Sequence, residues 1–364
     1  MTTSMYIHIP FCSHICSYCD FCKRFYNEIE CSNYLDALSK EIKDNYKGEE
    51  LKTLYIGGGT PSSLSINNLK KLFNILSNIK LSNDYELTIE VNPENIDEKK
   101  LKLFKDNRVN RISMGIESTN DNLLKYLKRK HDFKMVKDKV NLIKKYFNNI
   151  NVDLIYAIPN ETMEDLKIDL DNIISLDINH ISTYSLIINE NTELGINKTN
   201  YINTDLDREM YDYICNYLKD HGFNHYEISN FSKDGYESKH NLVYWHNEHY
   251  YGFGLGASGY IDNTRYDNTK SLTNYNSGNY RLNEEELSIE DIMSYHLILG
   301  FRLIKGINKK DFYDKYNTRL IDMYNICELI KKGYLIDDGD NIFIKYDMIY
   351  VENKILENFI WKCI

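Results

Sequence analysis

Short apolar runs recur along the first half of this chain, each followed by a turn and then by a longer segment whose apolar positions repeat every three or four residues. The short runs are Met5 to Ile9, Thr53 to Gly57, Leu87 to Val91, Arg111 to Gly115, Asn151 to Ile155 and Ile181 to Leu186. Their length and β-branched content predict strands. Between them the 3.6-residue period predicts helices over Cys31 to Tyr46, Ile66 to Asn78, Asp97 to Lys105, Phe133 to Phe147 and Thr162 to Leu176. Strands alternating with helices lie parallel, so the expected fold class is α/β, a full or partial (β/α) barrel. Such a barrel gathers its chemistry at the C-terminal ends of its strands.

After about residue 225 the pattern changes. Tyr226-Glu-Ile-Ser-Asn-Phe and the glycine-rich Tyr251-Gly-Phe-Gly-Leu-Gly-Ala-Ser-Gly read as closing strands and tight turns, so the barrel domain is expected over residues 1–261. The segment 262–288, polar and rich in Asn, Ser and Thr, reads as a connector. Over 289–364 helices are expected at Ile289 to Phe301, Lys309 to Tyr316 and Leu320 to Lys332, then a hairpin from Gly333 that turns near Asp338-Gly339. Helices followed by a hairpin predict a small winged-helix-like α+β domain. It lacks a basic recognition helix, which favours a packing or lid role.

A chain of 364 residues suits one large domain plus an accessory one. A net charge of −10 argues against general nucleic-acid binding. The basic stretch from Lys125 to Lys145 reads as a solvated helix face. Of eight cysteines, four lie between positions 12 and 22 and the others are scattered at 31, 215, 327 and 363. That is not the framework of a secreted disulfide scaffold, so a reducing, cytoplasmic setting is expected. No basic segment followed by an apolar core opens the chain, and no run approaches about 18 apolar residues. Membrane contact is therefore expected to be peripheral.

The densest chemistry follows the first strand: Cys12-Ser-His-Ile-Cys16-Ser-Tyr-Cys19. A [4Fe-4S] cube normally takes four thiolates, and three would leave one iron open to a chelating molecule such as S-adenosylmethionine. Counting Cys22, four thiolates could instead hold a structural zinc ion. Cys19 and Cys22 also form a C-x-x-C pair that could act as a redox dithiol. From the loop alone all three readings stay open. Gly57-Gly58-Gly59-Thr60-Pro61 follows the second strand and lets backbone amides approach a ligand; no Gly-Lys-Ser/Thr follows, which excludes a P-loop, and a plain tight βα turn is the alternative. Glu90, Glu117 and Asp153 sit at or near strand ends, where carboxylates need partners and suit an ammonium, ribose hydroxyls and a sulfonium. Arg129, just beyond the fourth strand, could pair with a carboxylate.

Taken in order, Tyr6-Ile-His-Ile-Pro-Phe-Cys12-x3-Cys16-x-Tyr18-Cys19-Asp-Phe, Gly-Gly-Gly-Thr-Pro-Ser, Glu90-Val-Asn-Pro, Arg129-x-His131 and Asp153-Leu-Ile resemble the radical S-adenosylmethionine family of oxygen-independent coproporphyrinogen III oxidases and their relatives. Within it the chain most resembles the HemW-type heme chaperones. It begins only a few residues before the first strand, its loop reads Cys19-Asp-Phe where the oxidases carry a further cysteine two residues after the third ligand, and His240-Asn-Leu-Val-Tyr244-Trp245 is similar to the H-N-x-x-Y-W motif associated with heme binding.

The resemblance implies that Cys12, Cys16 and Cys19 ligate a [4Fe-4S] cluster and that Tyr18 lies beside the adenine of S-adenosylmethionine. It makes Tyr6, Gly58, Gly59, Thr60, Glu90, Arg129 and Asp153 contacts to that cofactor. Glu117 stands where the relatives typically have Gln, which puts a second cofactor molecule, used by the oxidases, in doubt. Cys22 is one residue too far along to copy the oxidases' extra cysteine and reads as a free thiol. His240 is the expected heme ligand, with His246 and His249 as rivals, and His8 is close enough to the loop to donate a hydrogen bond behind the cluster. A protein of this kind would carry heme to apoproteins, including membrane-associated respiratory ones. The alternative is an oxidase that uses radical chemistry to decarboxylate coproporphyrinogen III, and a zinc-stabilised binding module is the third. Whether the chain dimerises is open.

Overall fold

The computed structural model describes residues 2–360; the end of the last predicted domain, with Cys363, lies outside the described residues. Six parallel strands form its centre: β1 (Ser4–Ile9), β2 (Leu51–Gly58), β3 (Leu81–Val91), β4 (Arg111–Glu117), β5 (Asn149–Tyr156) and β6 (His180–Ser185). Three short strands extend the sheet: β7 (Asn224–Glu227), β8 (Asn230–Ser232) and β9 (Tyr251–Phe253). The order is β9-β1-β2-β3-β4-β5-β6-β8-β7, with β9 parallel to β1 and β8 antiparallel to β6.

Alternation along each strand divides core from lumen. On β4, Ile112, Met114 and Ile116 are fully buried in the hydrophobic core, while Arg111, Ser113, Gly115 and Glu117 line a cavity inside the barrel. The same division holds on β5, with Val152 and Leu154 in the core and Asn151 and Asp153 in the lumen. The outer layer is helical, as at Met163–Ser175, which starts with a capping box between Thr162 and Asp165.

The helix Lys239–Trp245 closes the N-terminal end of the barrel. Ser238 caps it, and the Glu86 carboxylate of β3 accepts the backbone N–H groups of Lys239 and His240, each at 3.1 Å. That carboxylate sits where a helix N-terminus favours negative charge. This helix, with its apolar residues bunched at Leu242 to Trp245, is too short to give a strong periodic signal. The longer helix Thr204–Asp220, with Met210, Tyr211, Ile214, Cys215 and Leu218 buried at helical spacing, is not among the predicted elements.

Residues 262–288, read from sequence as a connector, contain two strands and a short helix. Thr264–Asn268 pairs with Ser258–Ile261 and with Arg281–Glu286, so position 261 falls inside a hairpin. The fully buried Glu41 carboxylate anchors this unit to the helix Glu28–Asn45. It accepts hydrogen bonds from Asn268 Nδ2 at 2.7 Å and Gly254 N at 2.9 Å and pairs with Arg281 at 3.2 Å. The C-terminal part forms helices at Ile289–Gly300 and Lys309–Tyr316 and a three-stranded sheet of Ile307–Asn308, Asn341–Ile344 and Leu335–Asp337. The single helix expected over Leu320 to Lys332 is broken into a 3-10 turn, Leu320–Asp322, and a helix, Ile326–Lys331. Asn325, at φ +63°, takes the left-handed conformation that asparagine tolerates best among non-glycine residues and interrupts the run.

Candidate cofactor site

The cysteine loop arches over the C-terminal end of the barrel. Ser17 fixes it, donating its backbone N–H to Leu127 O at 3.2 Å and its hydroxyl to Tyr126 O at 3.1 Å. From below, His8 on β1 holds the far end of the loop through Nε2 and the Cys22 carbonyl at 2.7 Å, while its Nδ1 faces the Tyr6 hydroxyl at 3.0 Å. Burial pulls the His8 imidazole down to about 4, so it stands neutral between them.

Beneath the loop lies a cavity of about 360 Å³, within the range of small-molecule sites. Cys12, Cys16, Tyr18, Cys19, Gly58, Gly59, Thr60, Glu90, Glu117, Arg129 and Asp153 all line it. Glycine is required where β2 meets the loop: a Cβ on Gly59 would stand 2.9 Å from Cys12 Sγ, and Gly58 combines φ +113° with a Cβ position 2.5 Å from the His8 ring. Thr60 donates to Cys12 Sγ at 3.6 Å, and Arg129 donates to Cys16 Sγ at 3.5 Å. These donors suit thiolate charge. Burial pushes the Cys12 thiol up to about 11.

Deeper in the lumen, Glu90 accepts the Tyr55 hydroxyl at 2.8 Å and the Gly58 N–H at 2.9 Å. Burial still pushes its carboxyl up to about 7. Burial also raises Glu117, opposed by the Arg129 guanidinium 3.6 Å away. Glu117 sits at φ +62°, the kind of backbone strain that collects at ligand sites. Asp153 accepts Asn151 Nδ2 at 2.8 Å, and burial raises its carboxyl as well.

Among the described residues no three His, Cys, Asp or Glu side chains converge on a single-ion site. Ligands that each take a different iron of a cube need no such convergence. Three cysteines around a void with hydrogen-bond donors at two of their sulfurs fit a [4Fe-4S] cluster. Acidic and amide groups below them fit the ammonium and ribose of S-adenosylmethionine.

Two expected residues lie outside this cavity. Tyr6 lines a second one, of about 410 Å³, with Cys22, Phe21, Tyr244, Tyr250 and Lys270 among its walls. His240 lines neither. It is 1% exposed, with Nδ1 2.8 Å from the Thr53 hydroxyl, Nε2 2.8 Å from the Tyr244 hydroxyl, and its ring stacked on Tyr55 at 5.1 Å. His246 is exposed, and His249 packs edge-on against Tyr260; neither lines either of these two cavities. Sequence reasoning missed Tyr55, Asn92, Arg111 and Ser182 as lining residues. The two-residue alternation of β2 and β4 carried the signal for Tyr55 and Arg111, since it puts them on the same face as Gly57 and Glu117.

A model described as the Radical SAM superfamily matches residues 6–173. Heme chaperone HemW of Lactococcus lactis is 38% identical over 98% of this chain and 97% of its own, and heme chaperone HemW of Bacillus subtilis is 36% identical over 98% and 99%. Heme chaperone HemW of Escherichia coli is 30% identical over 98% of both chains. The structure of coproporphyrinogen III oxidase (HemN) from Escherichia coli, a radical SAM enzyme, superposes with a TM-score of 0.86 over 98% of this chain and 90% of its own at 21% identity, which shows the shared fold. The fold is that of the radical SAM class. Within it, the chain belongs to the family of HemW heme chaperones.

Proposed function

We propose that this protein binds heme and passes it to apoproteins, membrane-associated respiratory ones among them, while carrying a [4Fe-4S] cluster and S-adenosylmethionine in the barrel. The family supports heme as the cargo. Cys12, Cys16 and Cys19 would hold the cluster. Glu90 with the Gly58 amide would orient the ammonium end of S-adenosylmethionine, Asp153 its ribose, and Tyr18 would flank the adenine, with Arg129 placed between Cys16 and Glu117. Bound together, cluster and cofactor supply one-electron reductive chemistry at the sulfonium.

One observation carries the heme reading: Tyr244 both occupies His240 Nε2 and walls the second cavity. Imidazole ligation of iron needs a free ring nitrogen. A change of the Tyr244 χ1 rotamer, which swings the whole side chain away, would release Nε2 and join that nitrogen to a cavity whose tyrosine rings suit a macrocycle face. Tyr6 belongs to this wall rather than to the cysteine cavity, and Lys270 offers a propionate partner. No described helix is long and apolar enough to cross a membrane, so contact with a membrane-bound acceptor would be peripheral.

Hemin titration followed at the Soret band tests this. Wild-type protein binds hemin stoichiometrically, His240→Ala weakens binding at least about tenfold, and Tyr244→Phe, which frees Nε2, binds faster than wild type. Full affinity in His240→Ala removes the assigned ligand.

A further inference from the structure

We infer that Arg111 is a carboxylate-binding residue at the floor of the barrel cavity. Its side chain is 2% exposed, among the largest fully buried ones in the molecule, yet it faces the lumen as a cavity-lining group. It makes no hydrogen bond, ion pair or ring contact with any described residue, and its Nε is a buried donor without an acceptor. A buried guanidinium is normally paired, because desolvating it without an anion is costly.

The carboxylates nearest in register are already engaged. Glu90, which pairs with Ser113 one lumen position nearer the cysteines, is held by Tyr55 and Gly58. Asp153, opposite Gly115, is held by Asn151 and Ser182 and feels the Arg111 charge only from beyond ion-pair distance, and Glu86, two residues before Thr88, accepts the Lys239 and His240 backbone N–H groups. The remaining groups on the floor are neutral: Ser113, Asn151, Ser182 and Asn241. Thr88, directly opposite Arg111 on β3, also has a buried hydroxyl without a partner. A forked cation and a free hydroxyl, side by side and buried, suit one planar carboxylate, which guanidinium binds through two parallel hydrogen bonds. The anion must therefore arrive with a ligand that enters from the cysteine end. Two carboxylates qualify: the amino-acid carboxylate of S-adenosylmethionine and a propionate of a porphyrin.

This inference rests on the reading of the cavity given above, so the test separates the two. Arg111→Met is compared with wild type as cluster-reconstituted full-length protein, by titration with S-adenosylmethionine, its decarboxylated form, hemin and hemin dimethyl ester. The substitution is expected to weaken one carboxylate ligand about tenfold or more and to leave its carboxylate-free counterpart unchanged; which pair responds identifies the source. Equal weakening within both pairs, or none in either, overturns the assignment. Acetate distinguishes the failures. If wild type binds neither S-adenosylmethionine nor hemin, the reading of the cavity falls, while selective stabilisation of wild type over Arg111→Met by acetate at constant ionic strength upholds the carboxylate site and its absence rejects it.

Discussion

The imidazole of His240 lies stacked on the ring of Tyr55, with 5.1 Å between centroids, and the hydroxyl of that same tyrosine donates to Glu90 at 2.8 Å. One side chain thus touches both the residue expected to meet heme and the carboxylate expected to meet S-adenosylmethionine. Tyr55→Phe keeps the stack and removes the hydrogen bond. It should weaken S-adenosylmethionine binding about three- to tenfold, the worth of an ordinary hydrogen bond, and leave hemin affinity unchanged. Calorimetric titration of each ligand reads the two effects separately.

The cysteines divide into ligands and a bystander. Cys12, Cys16 and Cys19 border the cavity, whereas Cys22 borders the other one. Alanine at any of the first three positions should reduce iron and sulfide after anaerobic reconstitution to background. Cys22→Ala should retain a full complement of four irons. Iron analysis with electron paramagnetic resonance of the reduced protein checks both.

Gly59 has no room for a side chain, since its Cβ would stand 2.9 Å from Cys12 Sγ and 2.8 Å from the backbone of Pro10. Gly59→Ala should destabilise the folded chain by about 1–3 kcal/mol through overpacking and lower cluster occupancy. Urea unfolding and iron content measure the two consequences.

His240 makes stability depend on pH. Burial pulls its imidazole from 6.5 to about 3, so between those values the unfolded chain holds a proton that the folded chain rejects. The stability present above pH 6.5 is therefore lost as pH falls, by about 1.4 kcal/mol per unit. His180 and His225 shift in the same direction, so the contribution is read as a difference. From pH 7 to pH 5, ligand-free wild type should lose about 2 kcal/mol more than His240→Gln. Equal losses would show that His240 is not held neutral.

The parallel strands and the cysteine cavity were legible in the sequence because each strand alternates apolar and polar positions and each loop motif directly follows its strand. Glu90, Glu117, Arg129 and Asp153 come together as the barrel topology requires. His240 was legible as a motif and not as a place. Its burial under Tyr55 depends on Glu86, more than 150 residues earlier, accepting the backbone N–H groups at the start of its helix, a contact that no local pattern encodes. The break at Asn325 was hidden for a different reason: a left-handed asparagine leaves the apolar periodicity on either side intact. Arg111 opens a strand that the apolar pattern identified, yet only the folded lumen reveals that nothing pairs with it.

Heme carriage rather than porphyrin decarboxylation is the central claim, and one anaerobic incubation tests it most directly. Cluster-reconstituted protein is mixed with coproporphyrinogen III, S-adenosylmethionine and a reductant, and product is read by fluorescence after oxidation while hemin binding is followed in parallel. Stoichiometric hemin binding with no protoporphyrinogen formed is the predicted result; turnover of coproporphyrinogen III to protoporphyrinogen would contradict it.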